Sequence, residues 1–163
     1  MIFVTVGTQL PFERLVSAMD RWCAARSPRP EVLAQVGSGR LDYPNLRCVR
    51  SMDAVAYAEA IAGARLLVAH AGTGSILTAL DRGVPVIIMP RDHRRGEHRD
   101  DHQMQTARQL EKMGLVTVAW DQAALFGLID AALLGTLEGH PKRQRSTELV
   151  DFLRSYLRSV LRG

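Results

Sequence analysis

Residues 65–75 read Arg65-Leu-Leu-Val-Ala-His70-Ala-Gly-Thr-Gly-Ser75, and they decide the fold. After Arg65 the stretch to Ala69 is apolar on both faces, which describes a strand buried between two layers. Gly72 and Gly74 interrupt it. Helical spacing then runs through Leu80 until Gly83 stops it. A buried strand, a glycine turn and a helix in direct succession form half of a strand–helix–strand unit.

Working outward, the same unit recurs. Toward the C-terminus, Val84 to Met89 reads as a strand closed by Pro90, and Arg91 to Asp101 as a charged loop. His102 to Met113 is a helix ending at Gly114, and Leu115 to Ala119 a last strand. Asp121 caps a helix through Leu134. Toward the N-terminus, Met1 to Val6 is an apolar run rich in β-branched residues. Gly7 to Phe12 is a turn, with Pro11 suited to a helix start. Phe12, Leu15, Val16 and Met19 repeat at helical spacing until the Ser27–Pro30 break. Strands over 31–36 and 46–49 and an Ala-rich helix over 53–62 complete the pattern. The expectation is an α/β fold: a Rossmann-like, mostly parallel sheet with helices on both faces, over residues 1–135. A basic linker and a C-terminal amphipathic helix follow over 136–163.

Length and composition agree with one domain: the chain has 163 residues, enough for a single core. No apolar run reaches about 18 residues, so no membrane-spanning helix is expected. The opening apolar run lacks a charged segment before it and reads as a strand, not a signal peptide. These features point to a cytoplasmic protein. Cys23 and Cys48 are too few for a disulfide framework or a four-cysteine metal site. The net charge is +4, and all but Lys112 and Lys142 of the 21 basic residues are Arg. Such a surface suits nucleic acid, anionic lipid or phosphorylated substrates. Nucleic acid is disfavoured by few aromatics and interspersed carboxylates.

Ligands of such sheets bind beyond the carboxyl ends of the strands. The glycine turn after the Leu66–Ala69 run therefore matters most. Glycines let backbone N–H groups approach an anion, the helix start adds roughly half a positive charge, and Thr73 and Ser75 add hydroxyls. A tight turn with a hydroxyl cap is the alternative. No Walker lysine follows, and the third glycine of a dinucleotide fingerprint is missing. Gly7-Thr8-Gln9 is a second possible phosphate contact, or a simple strand-to-helix turn. The polar stretch 91–103 holds His93, His98 and His102, but their spacing is not that of helical metal ligands. It is either a solvated loop or a substrate loop whose polar groups converge on the anion site. In the terminal helix, Leu149, Leu153, Tyr156 and Val160 form an apolar stripe, with Arg154, Arg158 and Arg162 on another face. That helix packs back on its own domain, docks on a partner or lies on anionic lipid.

The stretches HAGTGSILTALDRGVPVIIMPR (70–91) and GEHRDDHQMQTARQLEKMGLV (96–116), with the opening MIFVTVGTQLPFERL, resemble the C-terminal nucleotide-sugar-binding domain of family 28 glycosyltransferases. The resemblance covers residues 1 to about 120. It is strongest to the stand-alone form of that domain, the small catalytic subunits of bacterial exopolysaccharide transferases and of the eukaryotic dolichol-linked GlcNAc transferase. It implies the donor half of a GT-B fold, with UDP-sugar as donor substrate and neither metal nor cofactor. The partner it implies is a membrane-anchored acceptor-binding subunit presenting a polyprenyl-diphosphate-linked saccharide. That partner would recruit the chain to the inner face of the cytoplasmic membrane.

By resemblance, Gly72, Thr73, Gly74 and Ser75 hold the diphosphate, Gly7 and Thr8 lie near it, and His70 is a further substrate-binding residue. His102 and Gln103 contact the donor sugar or its phosphate, and Ser51 and Met52 lie near the loop where main-chain groups read the uracil. Relatives use a Glu for the ribose hydroxyls where this chain has Thr78, whose hydroxyl cannot make charge-assisted bonds. An inverting transfer needs a base, and Glu97 and His98 are the local candidates. An Arg in the 91–99 loop would favour an acidic sugar such as glucuronate; galactose, glucose and N-acetylglucosamine remain open. The competing reading is a non-catalytic nucleotide-sugar-binding or interaction subunit.

Overall fold

The structure, a computed structural model, describes residues 1–137 and Ser155. The strands are β1 (Ile2–Thr5), β2 (Val32–Gln35), β3 (Arg47–Val49), β4 (Leu66–Ala69), β5 (Val86–Ile88) and β6 (Thr117–Val118). The helices are α1 (Glu13–Ala24), α2 (Ala54–Ala62), α3 (Thr73–Asp81), α4 (His102–Lys112) and α5 (Gln122–Leu134). Every strand pairing is parallel, and the six strands lie in the order β3-β2-β1-β4-β5-β6. The expected sheet is therefore present.

Alternation along the strands sorts two cores. Ile2, Val4, Val32, Ala34, Leu66, Val68 and Ile87 face α1 and α5, meeting Leu15, Met19, Trp22, Leu125 and Ile129. Phe3, Leu33, Leu67, Ala69, Val86 and Ile88 face α2, α3 and α4, meeting Ile61, Ile76, Ala79, Ala107 and Leu110. Strands buried on both sides need this apolar content at successive positions. Leu15, Met19 and Trp22 bury one face of α1 at helical spacing. Asp53 and Asp121 cap α2 and α5 by accepting from Ala56 N and Ala124 N.

Every strand except β4 is shorter than the sequence suggests, and for β5 and β6 the local cause is plain. Leu115 N donates to Leu110 O at 3.0 Å, which commits Leu115 to the C-terminal wrap of α4 and delays β6. Pro85 has no N–H to give, so β5 begins after it. The charged 91–101 segment contains a single 3-10 turn, His93–Arg95, capped by Asp92 accepting from Arg94 N. The expected linker and terminal helix lie outside the described residues, apart from Thr136, Leu137 and Ser155. Among the described residues no helix is long and apolar enough to cross a membrane.

Strand order reverses between β1 and β4: the chain winds one way to β2 and β3, then the other way to β5 and β6. Loops leave the carboxyl ends of β1 and β4 in opposite directions, which opens a crevice between them.

Candidate functional site

A cavity of about 950 Å³ occupies that crevice. Its wall runs from Met52 and Tyr57 on one side, past Gln35, Gly7 and His70, to His98, His102 and Gln103 on the other. The volume suits a ligand of nucleotide-sugar size.

The floor is built from two glycines and a histidine. Gly7 leaves β1 with φ +76°, a left-handed conformation that favours glycine. A Cβ on Gly7 would stand 2.7 Å from the His70 ring, and one on Gly72 would stand 2.1 Å from His70 Nε2. The imidazole is thus clamped between two bare backbone segments, and neither position accepts a side chain. Burial, with Arg91 and His98 nearby, pushes the His70 pKa down to about 4, although the Thr5 carbonyl offsets part of the fall. The ring is neutral at pH 7.

Gly72 is also the N-cap of α3 and supplies no capping side chain. The first-turn N–H groups of α3 are left to whatever fills the cavity. A Cβ on Gly74 would meet nothing within 4 Å. That space is part of the site. The hydroxyls expected to help are not equivalent. Ser75 Oγ pairs with Tyr57 Oη at 2.8 Å. Thr78 Oγ1 donates to Gly74 O at 2.8 Å, leaving its lone pairs to accept.

The far wall comes from the loop after β5. Arg91 is buried, and its guanidinium donates to Val6 O at 2.8 Å and Leu10 O at 2.5 Å while lying 5.1 Å from the Phe12 ring centre. It ties the β5 exit to the β1 exit and keeps a positive charge against the cavity. Gln103 Oε1 accepts from Arg91 N at 3.2 Å, so its amide N–H groups are free to face the cavity. Asp100 Oδ1 accepts from His102 N at 3.1 Å and lies 2.9 Å from His98 Nδ1. The His102 N–H, more than any other neighbour, holds the Asp100 carboxyl below the usual carboxylate range.

Glu97 and His98 part company here. His98 is on the cavity wall and Glu97 is not. The Glu97 carboxylate takes both Arg14 Nε and Nη2 at 2.7 Å and also accepts from Asp92 N at 2.9 Å. Its acceptor capacity holds the loop against α1. The residues given a substrate-binding role all line the cavity: Gly7, Thr8, Met52, His70, Gly72, Thr73, Gly74, Ser75, Thr78, His102 and Gln103. Arg94 and Arg95 do not; both turn to Asp92, at 3.1 and 3.7 Å.

Sequence reasoning missed Gln35, Tyr57, Arg91 and Thr106 on the wall. Gln35 carried a usable signal, a polar residue near the carboxyl end of an apolar strand. Arg91 did not, because a loop arginine gives no sign that it will be buried. Among the described residues, no three His, Cys, Asp or Glu side chains group so as to hold a metal ion.

A sequence-family model described as "Glycosyltransferase family 28 C-terminal domain" matches residues 1–151. The solution structure of ALG13 aligns with a TM-score of 0.60 at 21% identity, covering 90% of this chain and 91% of ALG13. MurG of Acinetobacter baumannii aligns at 0.61 with 17% identity, covering 95% of this chain and 49% of MurG. Os79 from O. sativa, solved in complex with UDP, aligns at 0.58 with 16% identity, covering 95% of this chain and 40% of Os79. This chain therefore spans less than half of MurG and of Os79 but nearly all of ALG13.

Proposed function

The chain belongs to the glycosyltransferase family 28 C-terminal domains, and from that premise we propose that it is the donor-binding half of a two-subunit inverting hexosyltransferase. The donor is a UDP-sugar. The acceptor is a polyprenyl-diphosphate-linked saccharide brought by a membrane-anchored subunit, which recruits this chain to the inner face of the cytoplasmic membrane. The sugar is a glucuronosyl, N-acetylglucosaminyl, galactosyl or glucosyl group.

One observation carries the reading. At the reversal point of the sheet, an uncapped helix start opens into a nucleotide-sugar-sized cavity whose floor tolerates no side chain at Gly7 or Gly72. That geometry favours a bound diphosphate.

In the mechanism, the anomeric carbon gains oxocarbenium character as the bond to UDP lengthens, and negative charge grows on the departing diphosphate. The first turn of α3, the Thr73 hydroxyl and the Arg91 charge face that growth, which is metal-independent electrostatic stabilisation. His70 is neutral and adds no charge, so it can supply only a hydrogen bond. Gln103 and His102 face the sugar end. The acceptor hydroxyl attacks the opposite side of the anomeric carbon, and its proton needs a base. Within this chain His98 is the local base candidate; Glu97 serves Arg14 instead. A base contributed by the partner subunit is compatible with the same donor site.

Ligand-detected NMR of the chain with UDP, ADP, NAD and a panel of UDP-sugars tests this. Selective UDP binding near the millimolar level, about −4 kcal/mol, is expected for a half-site. The co-expressed pair should then transfer sugar. UDP binding without transfer by the pair would favour a non-catalytic binding subunit. No nucleotide binding, alone or paired, would overturn the donor site.

A further inference from the structure

Gln35 lies on the α2 and α3 side of the sheet, at the end of β2, and is 3% exposed. Its Cα is the register partner of Thr5 in β1. The hydrogen bonds run from Gly7 through Thr5 to Gln35. Gly7 N–H donates to Thr5 Oγ1 at 3.2 Å. The single hydroxyl proton of Thr5 goes to Gln35 Oε1 at 2.8 Å. An amide has one acceptor end and one donor end, so Nε2 is turned away from Thr5. Among the described residues no acceptor takes it. The side-chain atoms sealed from solvent without a partner are His70 Nδ1 and Arg91 Nε, and Gln35 Nε2 is not one of them. Gln35 is cavity wall, so the cavity is where its two N–H bonds open.

The surroundings say which part of a ligand meets that amide. The positive helix start lies after β4, while Gln35 ends β2 on the other side of β1, the side of the sheet from which the loop carrying Met52 leaves. Met52 and the Tyr57 ring, whose hydroxyl meets Ser75, give the cavity apolar and aromatic surface suited to a flat ring. We propose that Gln35 reads the nucleobase: its amide N–H pair donates to a ring carbonyl oxygen, which selects a uracil-type base at this site. The inference rests on the donor-site reading above and adds its base specificity. A buried donor pair discriminates because a base without an acceptor there leaves it unpaired.

The test uses the intact ¹⁵N-labelled chain. The Gln35 side-chain NH2 signal is assigned by its loss in both Gln35→Glu and Gln35→Met. UDP should move that signal and inorganic pyrophosphate should not. Gln35→Glu keeps an oxygen for Thr5 but puts a carboxylate where the donor was, so UDP should bind at least tenfold more weakly and lose more affinity than pyrophosphate does, with the melting temperature also lowered because the site is buried. A still signal in UDP-bound wild type, or unchanged UDP and ADP affinities in Gln35→Glu, overturns the inference while leaving the donor site intact. A signal that moves equally with pyrophosphate assigns the amide to phosphate and overturns base reading. Wild type that binds no nucleotide, alone or with its partner, overturns both readings together. Because the first readout is made on wild type, misfolding of a variant does not protect the idea.

Discussion

The two sides of the cavity are made in opposite ways. On the β1 and β4 side the working parts are backbone: Gly7, Gly72 and Gly74 leave room, and the α3 N–H groups are bare. On the β5 side the working parts are side chains held by other side chains. Arg14 holds Glu97 across 83 residues of sequence, Asp100 holds His98, and Arg91 reaches back to Val6. The backbone side leaves room through absence of bulk, and the loop side positions groups through ion pairs. Substitutions should therefore fail differently on the two sides, sterically on one and by lost positioning on the other.

The sharpest break is within the backbone side. Gly74→Val adds bulk where, beyond the helix's own backbone and the chain neighbours, a Cβ meets nothing within 4 Å, so the fold should tolerate it while the ligand space is filled. We expect UDP affinity to fall by about a hundredfold or more, roughly 3 kcal/mol, with the melting temperature nearly unchanged. Gly72→Ala should do the reverse. Its Cβ falls 2.1 Å from His70 Nε2, so the clamped ring must move, and stability should drop by about 1–3 kcal/mol. Paired UDP titrations and thermal melts decide it. Equal losses of stability in both variants would mean that Gly74 is packing and not ligand space.

His70 gives the next effect, in pH. Its folded pKa of about 4 lies below the ordinary value of 6.5. As pH falls below 6.5, the unfolded chain takes a proton that the folded chain refuses until about 4. Acid therefore favours unfolding: the contribution is complete above pH 6.5, is lost as pH falls to about 4, and is flat below. By linkage the total approaches about 3 kcal/mol. Denaturant melts from pH 7.5 to 4 should show this slope in wild type and a shallower one in His70→Gln. Parallel slopes would place the His70 ring in water, against the clamp.

The same contrast explains what could be read from sequence. The strands and helices were legible because two-sided burial writes apolar runs, and glycines and prolines punctuate them. Met52, His70, His102 and Gln103 were legible through motif resemblance, and the glycine turns through chemistry as well. The division of labour between Glu97 and His98 was not. Adjacent residues with similar acid–base capacity differ here only in which distant group each meets. Arg14 lies on α1 and gives no local sign of its partner. Gln35 is polar at the end of an apolar strand, which is legible, but the Thr5 hydroxyl that it meets in another strand is not.

The smallest expected effect tests that division directly. Glu97→Gln keeps the shape and one acceptor but removes the charge that Arg14 meets. The pair is partly exposed, at 23% and 15%, so its loss should lower stability by only about 1 kcal/mol. With transfer by the assembled pair as readout, Glu97→Gln should lower the rate modestly and leave the pH profile of kcat in place. His98→Gln should remove the limb of that profile that reports the base, because no basic nitrogen then remains at that position. The opposite pattern, in which Glu97→Gln erases the limb and His98→Gln keeps it, would require Glu97 to leave Arg14 in the working complex. A limb unmoved by either variant would assign the base to the partner subunit. The loop after β5 would then serve only to position the donor.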